Sequence, residues 1–186
     1  MTLTELHQRL AAIPSGKSAP LRELTTAARP DWPVLAPPRP AEPAITAVIS
    51  GVSGESARQT TLLRAGLYLM HDFLDPSHIQ SQSMEGDPDA DLWHAIMHRR
   101  EPDYGNSKYW YRHVGDHPVF GELASLAAPL LTTAGVPGFS PDRWDPYRFV
   151  DLCQQAEREL SPQNLAARQV QWIEMSLHLS YCLQGR

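Results

Sequence analysis

Four of the eight histidines of this chain lie within 27 residues, between Asp91 and His117. Two of them, His94 and His98, are four residues apart, so on a helix they lie one turn apart on the same face. Neutral imidazoles in this arrangement can chelate a divalent metal ion such as zinc or iron. The stretch therefore predicts a polar site that includes His94 and His98 as metal ligands.

Glu101 follows on the next turn and extends the same helix face. At about 100° per residue, His94, His98 and Glu101 fall within about 60° of one another, and a carboxylate there can complete a facial triad. Leu92 and Ile96 point the opposite way, so we expect them to face the core. His98 and Glu101 are also candidates for acid–base catalysis, because a carboxylate can orient an imidazole and set its tautomer.

The spacing of His94 and His98 also allows interpretations other than a metal site. A pair of histidines four residues apart is a weak metal motif without the glutamate of HExxH. The same face could bind an organic ligand directly, or it could be a solvated surface. A second pair, His113 and His117, spans Gly115 and precedes Pro118, so it should not lie on one continuous helix.

Several neighbouring residues could bind the rest of a small ligand. Arg99 can hold a carboxylate or phosphate, although an arginine at a helix end also complements the macrodipole. Asn106, Tyr109 and Trp110 lie close together on a predicted helix, where aromatic faces beside an amide suit a sugar, a nucleobase or an aromatic acid. The plainer interpretation makes Trp110 a core anchor. His78, in the preceding connection, can add another imidazole.

The segment HAIMHRREPDYGNSKYWYRHVGDHPVF, from His94 to Phe120, resembles a family of uncharacterised microbial proteins. Members carry a similar HxxxHRREPDYxNxKYWxxxVGxHP pattern, and the SHxxxQ stretch from Ser77 to Gln82 belongs to it. The similarity covers about residues 60–120 and points to no reaction. The resemblance implies a shared site centred on His78, His94, His98, Arg99, Glu101, Asn106, Tyr109 and Trp110.

The candidate site residues lie on segments that are predicted to be helical. The pattern of apolar residues and prolines along the chain predicts an all-α fold, a single domain of six or seven helices over residues 1–186. A short helix is expected at 2–13, then a proline-rich extended strap at 14–50, for which a disordered linker is the alternative, and then a helical core at 51–186. Residues 14–43 hold eight of the 17 prolines, which excludes a regular helix there. The run AITAVI at 44–49 is the one plausible strand, and a lone strand cannot make a stable sheet.

Apolar spacing, cap residues and prolines predict the helices of the core. We expect an irregular connection over residues 77–86 and a kink or break at Pro129. The predicted helices span residues 55–75, 87–101 after the Asp87-Pro88 cap, 105–114, 119–134, 141–159 after Ser140-Pro141, and Ser161-Pro162 to about Leu183.

The composition indicates in which cellular compartment the protein is expected and which classes of partner it is not expected to bind. The chain is 42% hydrophobic and 20% charged, as in soluble globular proteins. Its net charge of −5 argues against nucleic-acid binding. No apolar window of about 18 residues predicts a membrane span, and no signal peptide is evident. Cys153 and Cys182 are expected to be buried free thiols, which fits a reducing, cytoplasmic compartment.

Two classes of function remain open from the sequence. The leading hypothesis is a protein that binds a small molecule in a polar histidine, arginine and glutamate pocket, directly or through a divalent metal ion, with or without catalysis. The alternative is a non-catalytic interaction domain in which the HRREPDY segment forms a structural hydrogen-bond network. A homodimer formed through the amphipathic C-terminal helix is a further expectation.

Overall fold

The structure is a computed structural model that describes residues 44–157 and 160–185. The helix predicted at 2–13 and residues 14–43 of the predicted strap lie outside the described residues. Every regular element among the described residues is a helix, which confirms the predicted all-α fold, although the described helices number eight and the sequence predicted six or seven. In chain order the eight described helices are α1 (Ala44–Ser50), α2 (Ala57–Met70), α3 (Leu74–Gln82), α4 (Pro88–Arg100), α5 (Tyr104–Val114), α6 (Val119–Thr133), α7 (Pro146–Ala156) and α8 (Pro162–Leu183).

Helix α4 lies at the centre of the described fold. Every residue from Asp89 to Arg100 is buried. Helices α3 and α5 pack closely against α4, and α2 and α8 also contact it. A helix buried on all sides belongs to the core, so its polar side chains must find partners inside the protein. The histidines of α4 are therefore core residues and do not form a solvated face.

Local capping explains where α4 and α8 begin, as predicted. The Asp87 carboxylate accepts hydrogen bonds from the backbone N–H groups of Asp89 and Ala90, and Pro88 occupies the first turn. Ser161 caps α8 in the same way ahead of Pro162. Proline suits the first turn because its missing N–H would have no helical partner there.

The extended strap predicted over 14–50 is wrong for its last residues, 44–50, because they form α1, and the strand considered at 44–49 is absent for the same reason. A short apolar run has the same pattern in a strand and in a buried helix, so its neighbours decide. Ile49 is fully buried in the core, and no neighbouring strand among the described residues could pair with this segment.

The predicted helix over residues 55–75 is in fact broken, and the irregular connection after it is largely helical. Helix α2 ends at Met70, the chain turns through Asp72 with a φ of 66°, and α3 begins at Leu74. The buried Asp72 carboxylate accepts a 2.7 Å hydrogen bond from Arg100 at the end of α4. Pro76 lies in the first turn of α3, where it does not end a helix. The break turns α3 back against α4.

Two prolines of the second half behave differently from the expectation. Pro129 lies inside α6, so the break considered there is wrong. Ser140-Pro141 does not start a helix, because α7 begins later, at Pro146, with Asp145 as its side-chain cap.

None of the described helices has the length and apolar character needed to cross a membrane. Both cysteines are buried and free, as predicted.

Candidate metal centre

Three imidazoles meet where α3 packs against α4; we call His78, His94 and His98 the histidine cluster. The rings of His94 and His98 are stacked, with centroids 4.8 Å apart. The ring of His78 lies edge-on to both, at 4.6 Å from His94 and 5.3 Å from His98. One nitrogen of each ring lies within 4.8 Å of the other two. The structure thus joins two predicted metal ligands to His78, which the sequence placed among the ligand-binding residues.

His94 is the most unusual member of the cluster. It is 1% exposed, and neither of its ring nitrogens has a hydrogen-bond partner among the described residues. A buried polar group left in this state costs about 1–3 kcal/mol. Trp110 of α5 covers one face of the ring, with centroids 3.8 Å apart. Trp110 is itself buried in the hydrophobic core, so this contact fits both a ligand-binding role and the plainer role of core anchor.

Burial also determines the protonation of His94. Loss of solvation, together with the neighbouring imidazoles of His98 and His78, lowers the pKa of His94 to about 3. The ring is therefore neutral at pH 7, and its unprotonated nitrogen carries a lone pair. A neutral imidazole is the form that binds metal ions.

Glu101 contacts the cluster through His98. The Oε2 atom of Glu101 lies 3.1 Å from Nδ1 of His98. Burial lowers the pKa of His98, and the hydrogen bond that His98 makes to the Glu101 carboxylate acts in the opposite direction. The Glu101 side chain is 48% exposed, against 9% for His98. Among the described residues, the group with nitrogens close enough to share an ion contains His78 and does not contain Glu101.

The spacing of the cluster is slightly wider than that of a loaded metal site. Zinc–nitrogen distances of 2.0–2.1 Å place two nitrogens about 3.3 Å apart in a tetrahedral site. The nitrogens here lie within 4.8 Å of one another, so they would close by up to about 1.5 Å on an ion. Three nitrogens would leave one tetrahedral position open.

Arg99 belongs to a separate buried network. Its side chain is fully buried, forms an ion pair with Glu174 of α8, and donates to the Tyr111 hydroxyl at 2.7 Å and to Gln171 at 3.2 Å. Its guanidinium carbon lies 4.6 Å from the centroid of the Phe149 ring. These contacts hold α4 to α5, α7 and α8. The predicted role of Arg99 in orienting a ligand therefore has no support in the structure.

The other predicted ligand-binding residues lie on α5. Asn106 is exposed, and its side chain donates to the Asp103 carboxylate at 2.9 Å, in the cap of α5. Tyr109 is 41% exposed, and its ring meets the Trp110 ring edge-on at 5.4 Å. Tyr109 therefore borders the site through Trp110, whereas Asn106 helps to start the helix.

A second histidine group was not predicted from the sequence. Asp89, His117 and His178 also lie close enough to hold an ion. Here, however, His117 Nε2 donates to Asp89 at 2.8 Å while His117 Nδ1 accepts from the Val119 N–H. His178 Nε2 donates to the Asp89 carbonyl at 2.8 Å, and Arg58 binds the second Asp89 oxygen. These bonds use both nitrogens of His117, one nitrogen of His178 and both carboxylate oxygens of Asp89, so this group has partners within the protein that His94 lacks.

Comparisons of the chain with protein-family models, with curated proteins and with solved structures found no match. The resemblance of the His94–Phe120 segment to a microbial family therefore gains no support from them and stays a prediction. Function must be inferred from the chemistry of the histidine cluster.

Proposed function

We propose that the histidine cluster binds a divalent transition-metal ion, zinc or ferrous iron, and that the open position on the ion takes a small ligand. The supporting observation is His94, an imidazole buried with two unpartnered nitrogens beside two further imidazoles. An ion would accept one lone pair from each ring, which would give a partner to one of the two unpartnered nitrogens of His94 and remove that part of the cost of burying it. Imidazole ligands suit zinc and iron among the common metals.

The number of ligands indicates the kind of chemistry. Structural zinc sites usually have four protein ligands, whereas catalytic sites have three and keep a position for water or substrate. Such an ion lowers the pKa of bound water and polarises a carbonyl. His78 and Glu101 are partly exposed, while His94 and His98 are buried. A small ligand would therefore reach the ion from the side of His78 and Glu101.

The alternative function, an interaction domain built on a structural network, is favoured by the arginines of the same segment. Arg99 pairs with Glu174 and Arg100 pairs with Asp72, and all four side chains are buried. Networks of this type can specify a fold without any ligand. The two arginines therefore support the structural network, because they have partners inside the protein. His94 supports the metal site, because it has no hydrogen-bond partner among the described residues.

Metal analysis tests the proposal directly. Protein purified without chelators should contain about one zinc or iron ion per chain, and metal-free protein should bind Co²⁺ with the visible absorption of a tetrahedral site. His78→Ala should abolish this binding, because it leaves only two imidazoles. His78 is partly exposed, so the variant should keep its helical circular dichroism.

His113→Ala is the matched control. His113 is an exposed neighbour on α5 whose ring contacts Trp110 but is not in the cluster, so this variant should bind Co²⁺ like the wild type. A wild-type protein that contains no metal and binds neither Zn²⁺ nor Co²⁺ would refute the proposal. Equal Co²⁺ binding by wild type and His78→Ala would refute it as well.

A further inference from the structure

We infer that Glu101 is a positioning residue of the metal centre, one that selects the metal-binding tautomer of His98 without binding the ion itself. The inference rests on the proposed metal-binding function. The Oε2 atom of Glu101 lies 3.1 Å from Nδ1 of His98, within hydrogen-bond distance. Of the two roles considered for Glu101 from the sequence, metal ligand and partner that orients the His98 ring, this contact favours the second.

The chemistry of the two groups determines the direction of this hydrogen bond. An ionised carboxylate has no proton to donate, so Nδ1 of His98 must carry the hydrogen. A neutral imidazole has one protonated nitrogen and one lone pair. The lone pair of His98 therefore resides on Nε2, which becomes the nitrogen available to an ion. Without Glu101 the ring would be free to place its proton on Nε2, in the tautomer that blocks binding there.

The position of Glu101 fits this role better than that of a ligand. Glu101 is the C-cap residue of α4. Its carboxylate is half-exposed and meets His98, while the other two imidazoles of the cluster meet each other and His98. A carboxylate behind a metal-bound histidine fixes the ring and raises its basicity. Loss of such a partner typically weakens metal affinity by about 10–100-fold.

Substitutions at Glu101 separate positioning from direct ligation. We expect Glu101→Ala to weaken Co²⁺ affinity by about 10–100-fold in competition titrations, with the visible spectrum of the bound ion unchanged. Glu101→Gln should lose less, because its amide oxygen still accepts from Nδ1–H. Glu85→Ala removes another exposed carboxylate, outside the cluster, and should leave the affinity unchanged.

Nitrogen NMR of the histidine rings gives a readout that does not need metal. In metal-free wild type, His98 should be the Nδ1–H tautomer, and Glu101→Ala should move population to Nε2–H. Wild-type affinity and tautomer in Glu101→Ala would overturn this inference and leave the metal site intact. A changed Co²⁺ spectrum in both Glu101 variants would make Glu101 a ligand and would also overturn it. A wild type that binds no metal would instead refute the proposed function, and the inference with it.

Discussion

His94 and His178 are both buried imidazoles whose pKa is lowered to about 3, chiefly by loss of solvation. Their nitrogens nevertheless have different surroundings. His178 donates through Nε2 to the backbone carbonyl of Asp89, whereas His94 has no hydrogen-bond partner among the described residues. Protonation alone therefore does not distinguish a structural histidine from a candidate ligand. Whether the ring nitrogens have hydrogen-bond partners does distinguish the two.

The burial of His178 predicts a loss of stability in acid. The ring stays neutral in the folded protein down to a pH of about 3, but in the unfolded chain it titrates near 6.5. The unfolded state therefore binds more protons between these values, and the free energy of unfolding should fall as the pH drops below 6.5. The contribution is up to about 1.4 kcal/mol per pH unit. Urea denaturation of metal-free protein at pH 7, 6 and 5 measures it.

His178→Gln isolates this contribution. Its amide can still donate to the Asp89 carbonyl but does not titrate. The variant should be less stable at pH 7, and its stability should change less steeply with pH than that of the wild type. His94 remains in both proteins, so its own titration cancels in the comparison. Identical slopes in the two proteins would contradict the assignment.

At the scale of the elements, α4 depends on a close approach to α2. A Cβ atom placed on Gly66 of α2 would lie 2.4 Å from the indole ring of Trp93 on α4. That distance is shorter than real contacts allow, so one of the two helices or the ring would have to move. The absence of a side chain at Gly66 therefore lets α4 sit deep enough in the fold to bury its histidines.

Gly66→Ala should therefore destabilise the protein by about 1–3 kcal/mol, the usual cost of overpacking. Gly121→Ala is the matched control, because Gly121 lies in α6 and a Cβ atom there would have nothing within 4 Å. The control should gain up to about 1 kcal/mol from better helix propensity. Chemical denaturation of both variants tests the contrast, and equal effects would refute it.

On the scale of the whole molecule, a bound ion would fasten α3 to α4. Helix α3 follows a left-handed turn at Asp72, and no side-chain hydrogen bond caps its first turn. The ion would hold it through His78 and would bind only the folded protein. At a metal concentration 100 times the dissociation constant, the expected gain is about 2.7 kcal/mol.

This gain should raise the melting temperature by roughly 5–10 °C. Circular dichroism melts with excess Zn²⁺ and with EDTA measure the shift, and hydrogen exchange should show slower exchange in α3 when metal is present. His78→Ala should show no metal-dependent shift. If it shifts as far as the wild type, the stabilising ion lies somewhere other than the histidine cluster.

The sequence by itself determined the features of this protein that depend on neighbouring residues. The start of α4 after Asp87 and of α8 after Ser161 was predictable, because a cap acts on backbone groups two or three residues away. The shared face of His94 and His98 followed from helix geometry alone. The division between α2 and α3 did not, because it is stabilised by contact of Asp72 with Arg100, which lies 28 residues further along the chain.

Only the tertiary structure decided which polar residues have partners. Arg99 binds Glu174, which lies 75 residues further along the chain, and His178 donates a hydrogen bond to Asp89, which lies 89 residues earlier. No local pattern distinguishes these satisfied groups from His94, because a hydrogen bond between distant residues depends on how whole helices pack. The packing of α3 and α5 on α4 brought His78 and Trp110 to His94 and left its nitrogens without a hydrogen-bond partner among the described residues.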